Sequence, residues 1–174
     1  MSEAFRGEFN QKVDGKARVS IPASFRRVLE AGDPAAAEGG RPKLVMVYGG
    51  PDRQFVECYT IAEMKRVEAR IRRIPTGTPQ RRFMERNLVT LSQTVEVDDD
   101  GRIVLPPKVR EKIGLDGDDL KSGADAIFAG TLETFQIWKR ERYDAELDAQ
   151  AEIELTVLPD GIDMLSLLPP DPEE

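Results

Sequence analysis

The chain has 174 residues, enough for one domain or two small ones. Hydrophobic residues make up 40% and charged residues 33%, histidine is absent and Cys58 is the single cysteine. These counts exclude a histidine base, histidine metal ligands, an intrachain disulfide and a thiolate cluster. We expect Cys58 to be a buried core thiol, which fits a reducing cytoplasm.

Charge is unevenly distributed along the chain. The formal net charge is −7, from 25 basic and 32 acidic residues, yet residues 1–29 carry six basic and three acidic side chains. Residues 65–86 carry eight basic and two acidic side chains, which we interpret as a solvated helix face, and residues 144–174 carry ten acids and no base. Because salt screens charges beyond about 8–10 Å, the local face decides whether a polyanion binds. We expect neither a signal peptide nor a membrane span, since no apolar run approaches about 18 residues.

A repeat with an offset of 84 residues organises the chain. VDGKARVSIPASFRRVL (13–29) aligns without a gap to VDDDGRIVLPPKVREKI (97–113), with five of 17 positions identical. The identical pairs are Val13 and Val97, Asp14 and Asp98, Arg18 and Arg102, Pro22 and Pro106, and Arg26 and Arg110. Each copy predicts a strand, a polar turn, a second strand, a proline and a short helix.

A second, less regular part also recurs. Residues 44–59 and 126–138 each predict a hairpin, followed by a helix that starts with a Thr60–Glu63 capping box in the first copy and near Lys139 in the second. Residues 30–43 are loop-like in composition.

These patterns predict four segments. The first repeat, a barrel half plus a helix, occupies residues 5–74, and a connecting helix occupies residues 75–90. The second repeat occupies residues 91–151, and an acidic, proline-containing tail occupies residues 152–174. We expect the two halves to pack together and the end of the tail to be extended or mobile.

An aspartate and an arginine four residues apart recur at the same turn of both copies. Asp14 precedes Arg18, and Asp98 precedes Arg102. One interpretation is a pair that only locks the turn, although an exposed ion pair adds little stability, about 0–1 kcal/mol. The other is an arginine presented on a rigid turn to a phosphate or to the O6/N7 edge of guanine. Spacing alone leaves both open.

The segments DGKARVSIP and DDDGRIVLP resemble the paired Asp-x-x-x-Arg signatures of the MraZ family of bacterial transcriptional regulators. The blocks FRGEF, PASFRRVL and FQIWKRERYD extend the resemblance over about residues 5–145. It implies an α+β, mainly β, fold like that of AbrB and MazE: a swapped-hairpin double-split β-barrel built by two tandem pseudo-symmetric repeats. It also implies a cytoplasmic, nucleoid-associated repressor that assembles into rings. Such a repressor binds direct repeats of double-stranded promoter DNA upstream of the division and cell-wall gene cluster, including its own gene.

On this resemblance the DNA-binding residues are Arg18 and Lys16, with Lys12 and Arg6 from the same basic stretch. Asp14, Asp98 and Arg102 are expected to be structural turn residues. The second turn sums to −2, counting Asp98, Asp99, Asp100 and Arg102, whereas the first sums to +1, so we place the DNA surface in the first half. Ala17 stands where the family usually has glycine, which implies a different turn or a strained one.

Two other function classes are compatible with parts of the sequence. Three consecutive aspartates suggest a metal-dependent hydrolase, but neighbours on an extended strand point to opposite faces, so we expect no enzyme, catalytic residue, metal, cofactor or small-molecule substrate. The stronger alternative is a ring-forming or antitoxin-like protein-interaction module without specific DNA binding. Salt-dependent DNA affinity distinguishes the two, because each neutralised phosphate adds about 0.9 to the log–log slope.

Overall fold

The computed structural model describes residues 3–158 and 160–173. Its strands are β1 (Glu8–Val13), β2 (Arg18–Ser20), β3 (Lys43–Val47), β4 (Val56–Thr60), β5 (Ser92–Glu96), β6 (Arg102–Val104), β7 (Ala124–Gly130) and β8 (Thr134–Lys139). Its helices are α1 (Ala23–Ala31), α2 (Pro34–Ala37), α3 (Ile61–Arg72), α4 (Pro79–Glu85), α5 (Pro107–Ile113), α6 (Gly117–Ser122) and α7 (Arg140–Val157). A π-helical turn at Arg86–Thr90 continues α4, and a 3-10 turn covers Met164–Leu167.

The eight strands identified in the described residues form one antiparallel sheet in the order β5-β3-β4-β8-β7-β1-β2-β6. The two copies alternate along it: β1 pairs with β7 of the second copy, and β5 pairs with β3 of the first. The two edge strands, β5 and β6, are joined by a tight turn in which the Asp98 N–H donates to the Arg102 carbonyl at 2.9 Å. This turn nearly closes the sheet into a barrel. The fold is therefore the mainly β, swapped-hairpin double-split barrel.

The apolar positions shared by the two copies form the core. Four aligned pairs are at most 2% exposed: Val19 and Ile103, Ile21 and Leu105, Phe25 and Val109, and Leu29 and Ile113. The Phe25 ring lies 5.3 Å from the Phe5 centroid and 4.9 Å from the Phe135 centroid. Cys58 is fully buried, as expected.

Prolines and polar caps set the starts of the helices. Pro22 is the N-cap of α1, and Pro107 opens α5, because proline's fixed φ suits a first turn and its missing N–H costs nothing there. Thr60 caps α3 by accepting the Glu63 N–H at 3.0 Å. The predicted capping box is only half formed, since the Glu63 carboxylate pairs with Arg66 at 2.8 Å.

Two segments differ from the sequence-based description. Residues 34–37, within a stretch predicted to be a loop, form α2, because buried Asp33 accepts the Ala35 N–H at 3.0 Å and Pro34 opens the helix. Helix α7 continues to Val157, past residue 152, where the tail was predicted to begin. Pro159 and Glu174 of that tail lie outside the described residues.

The chain divides into two compact units, one ending at Arg140 and the other starting at Glu141. The first unit contains the whole barrel. The second contains the rest of α7 and the 3-10 turn, and its α7 residues include no buried side chain among those described.

Candidate nucleic-acid interface

The turn between β1 and β2 is closed by Asp14. Its Oδ1 accepts the backbone N–H groups of Lys16 and Arg18, both at 2.9 Å, and its own N–H donates to the Arg18 carbonyl at 3.0 Å. The N–H of Arg18 lowers the pKa of Asp14, and the guanidinium of Arg18 adds to that effect. The turn is therefore built around an ionised carboxylate.

The same carboxylate orients the side chain of Arg18. Nε of Arg18 donates to Oδ2 of Asp14 at 2.7 Å, while the side chain stays 36% exposed. Within the described part of the chain, neither Nη atom of Arg18 makes a hydrogen bond. Both are available to an acceptor outside the protein, such as a phosphate or a guanine edge.

The strain expected at Ala17 is present. Its φ is +62°, in the left-handed region, and the equivalent position of the second turn is Gly101 with φ +77°. Ala17 is 2% exposed, so its methyl group is buried in the barrel. The two turns thus share one backbone conformation, and Ala17 adopts it without glycine's freedom.

The turn between β5 and β6 has the same backbone but a different guanidinium geometry. Oδ1 of Asp98 accepts the N–H groups of Asp100 and Arg102 at 2.9 Å each, and the Arg102 N–H lowers the pKa of Asp98. Nε of Arg102, however, is 3.7 Å from Asp98, and its Nη2 donates to Asp100 at 3.2 Å. Arg102 is therefore held by its own loop.

Two arginines outside the predicted site residues lie against the second turn. Arg41 donates to both oxygens of Asp99, at 3.0 and 2.9 Å, and hydrogen bonding to Asp99 raises the pKa of Arg41. The guanidinium of Arg26 lies where a Cβ on Gly101 would be. The sum of −2 omitted both cations, so this turn is closer to neutral than its own residues indicate. The repeat did mark Arg26, whereas nothing in the spacing of Arg41 pointed to Asp99.

The antiparallel pairing of β2 with β6 places the two turns at opposite ends of a three-residue ladder. Arg18 lies opposite Val104, and Ser20 opposite Arg102, on either side of a buried central pair. Side chains at alternate positions share a face, so both arginines lie on the outer face of this ladder, about 7 Å apart along the strand direction. Arg102 therefore lies on the same face as Arg18, whereas the second turn itself extends from the other end of the ladder.

The other predicted DNA contacts lie on β1 or on either side of it. Lys16 is exposed on the first turn. Lys12 is 81% exposed and its Nζ lies 2.8 Å from Asp125, which faces it on β7; this contact lowers the pKa of Asp125. Arg6 precedes β1, about 20 Å from Lys12 at the usual rise per residue. The structure brings Lys12, Lys16 and Arg18 to one end of β1 and does not bring Arg6 there.

Neither a cluster of metal-ligating side chains nor a membrane-spanning helix is present in the residues that the structure describes. Over residues 3–158 and 160–173, no group of three or more Cys, Asp or Glu side chains is arranged to hold a metal ion. In the same ranges, no helix has both the length and the apolar character needed to traverse a membrane.

Comparison with known proteins gives consistent matches. The family model described as "MraZ protein, putative antitoxin-like" matches residues 89–158. The chain is 64% identical over 168 residues to a transcriptional regulator MraZ of Cereibacter sphaeroides, covering 97% of each chain. It is 47% identical to that of Ruegeria pomeroyi, covering 97% of this chain and 96% of the relative, and 30% identical to that of Coxiella burnetii, covering 96% and 95%.

Proposed function

Because this chain belongs to the MraZ family of transcriptional regulators, we propose that it is a sequence-specific DNA-binding repressor. Its targets are direct repeats upstream of the division and cell-wall gene cluster, including its own gene. It acts in the cytoplasm on the nucleoid, without enzymatic activity, as a ring-shaped homo-oligomer. Several linked copies raise the effective concentration of each weak site on repeated DNA.

The geometry of Arg18 carries this proposal. Its Nε is fixed by Asp14 at 2.7 Å, which leaves the two Nη atoms as a fork at a defined position on the outer face of the barrel. Two Nη donors match the O6 and N7 acceptors of guanine, and the stiff turn reduces the side-chain entropy lost on binding. We assign base or phosphate recognition to this fork.

The neighbouring cations have positioning roles in the proposal. Lys16 and Lys12 supply phosphate contacts beside the fork, and Lys12 must exchange Asp125 for a phosphate. Arg6, at the opposite end of β1, contacts the DNA backbone at a separate place. Phosphate contacts fix the register of the protein on DNA, whereas base contacts carry sequence information.

The test is to titrate DNA from immediately upstream of the gene with the protein. Binding is measured by fluorescence anisotropy at several salt concentrations. Arg18→Ala should weaken binding by about 1–3 kcal/mol, roughly 5- to 150-fold, and reduce discrimination against scrambled DNA. Lys16→Ala should weaken binding to both DNAs equally and lower the salt slope by about one.

Arg102→Ala is the matched control, because it removes the same side chain from the equivalent turn. Its guanidinium is already engaged by Asp100, so we expect a smaller loss of affinity than for Arg18→Ala. Circular dichroism should show unchanged folding of all three variants. Unchanged affinity of Arg18→Ala would remove Arg18 from the site, and a parent without salt-dependent DNA affinity would favour the protein-interaction alternative.

A further inference from the structure

A groove lies between α3, α4 with its π-helical turn, and the loop that joins β3 to β4. Its volume is about 660 Å³, within the range of about 300–1,000 Å³ typical of ligand sites. The apolar side chains that line it are Val67, Ile71, Ile74, Phe83, Met84 and Leu88. Phe83 is 53% exposed, a large aromatic surface left in contact with water.

The charged side chains that line this groove are Arg53, Arg70 and Asp52, and Arg53 is paired with Glu57 at 3.4 Å. Residues 65–86, which include most of α3 and all of α4, carry eight basic and two acidic side chains, and of these basic residues Arg70 is the one that lines the groove in the described structure. The two acids are already paired: Glu68 with Arg72 at 3.9 Å and Glu85 with Arg81 at 3.4 Å. Arg70 lines the groove and has no acidic group within 4 Å among the residues that the structure describes.

One segment of the same chain has the complementary character. Between Ile162 and Leu168, five large apolar side chains are 46–65% exposed: Ile162, Met164, Leu165, Leu167 and Leu168. Asp163 shapes this segment into a turn by accepting the Leu165 N–H at 3.2 Å, and its carbonyl accepts the Ser166 N–H at 3.0 Å. The segment belongs to a stretch with ten acids and no base after residue 143.

We propose that the groove binds the turn Ile162–Leu168 of a second copy of this chain. The apolar side chains of the turn enter the apolar floor, and Asp160 and Asp163 approach Arg70. Burying several apolar side chains supplies most of the affinity, while complementary charge sets orientation and association rate.

A nucleic acid fits the groove less well than this peptide does. Surfaces that bind nucleic acid are polar and contact phosphates, whereas this groove has an apolar floor around Phe83 and Leu88. The inference rests on the proposed function only in one respect, namely that two copies of the chain associate, so that one can supply the segment that fills the groove of the other. It does not depend on Arg18 or on DNA.

Disulfide trapping between two different full-length variants tests this contact. One carries Phe83→Cys and the other Leu165→Cys, and they are mixed and mildly oxidised without DNA. Cys58 is fully buried and does not compete. We expect a disulfide-linked dimer at least five times more abundant than with Val104→Cys in place of Phe83→Cys. Val104 is the matched control because it is 56% exposed and does not line the groove.

A competing peptide and a mass measurement complete the design. A peptide of residues 160–170 should suppress the cross-link, and the same peptide with serine at the positions of Met164, Leu165 and Leu167 should not. Because no DNA is present, the yield reports this contact separately from DNA binding. A yield no higher than that of the Val104 control overturns the proposal. Sedimentation of the parent then shows whether self-assembly survives through another surface or fails as well.

Discussion

Replacing Gly101 with alanine should destabilise the protein, whereas the reverse change at the equivalent position, Ala17→Gly, should be nearly neutral. At Gly101 the φ of +77° costs an alanine about 1–2 kcal/mol. The new methyl group also displaces the guanidinium of Arg26. Reduced freedom of the unfolded chain returns about 0.4–1 kcal/mol. We expect a net loss of about 1–2 kcal/mol.

At Ala17 the opposing contributions nearly cancel. Relief of the left-handed strain returns about 1–2 kcal/mol. Loss of a methyl group that is 2% exposed costs about 0.8 kcal/mol, and the freer unfolded chain costs a further 0.4–1 kcal/mol. The change in unfolding free energy should therefore stay within about 0.8 kcal/mol of zero.

Urea unfolding followed by circular dichroism measures both changes. In thermal unfolding of a chain of this length, Gly101→Ala should lower Tm by about 2–8 °C, at about 2–4 °C per kcal/mol. Equal tolerance of the two substitutions would refute the steric part of this reasoning. A gain above 1 kcal/mol from Ala17→Gly would show that the buried methyl group contributes little.

Two further predictions concern the core and the first turn. Phe25→Ala removes a fully buried ring that contacts Phe5, Phe9 and Phe135, and should lower the unfolding free energy by about 3–5 kcal/mol, measured by urea unfolding. Val104→Ala, at an exposed position, should change it by less than about 0.5 kcal/mol. Asp14→Asn should reduce the loss of stability in acid. The pKa of Asp14 is lower in the folded chain than in the unfolded chain, so its carboxylate stabilises the fold above about pH 4, the unfolded value. This contribution to the unfolding free energy disappears as the pH falls through the folded pKa. Urea titrations at successive pH values should show parent and variant converging below pH 4, and a constant gap would contradict the assignment.

The repeat predicted more of this fold than composition did. A gapless alignment already fixed which apolar positions are equivalent, and the aligned pairs, from Val19 and Ile103 to Leu29 and Ile113, are all buried. Strand order could not be obtained that way. The pairing of β1 with β7 is set by contacts more than 100 residues apart, and only the resemblance to a swapped-hairpin family implied it.

The candidate site was predictable where it is local and unpredictable where it depends on distant residues. Asp14 and Arg18 contact each other within one turn, so their spacing was sufficient. Arg41 reaches Asp99 across 58 positions, and its effect on the charge of the second turn appears only in the folded chain.

The difference between the two turns follows from the placement of one hydrogen bond. Both carboxylates accept the same pair of backbone N–H groups, so both backbones are equally fixed. Only in the first turn does the carboxylate also accept Nε; in the second, Asp100 engages Nη2 instead. An acid two residues before the arginine therefore engages the end of the guanidinium, whereas Lys16 at the same place in the first turn cannot. A repeat that duplicates a backbone can thus hold its two arginines in different geometries by exchanging one neighbouring side chain.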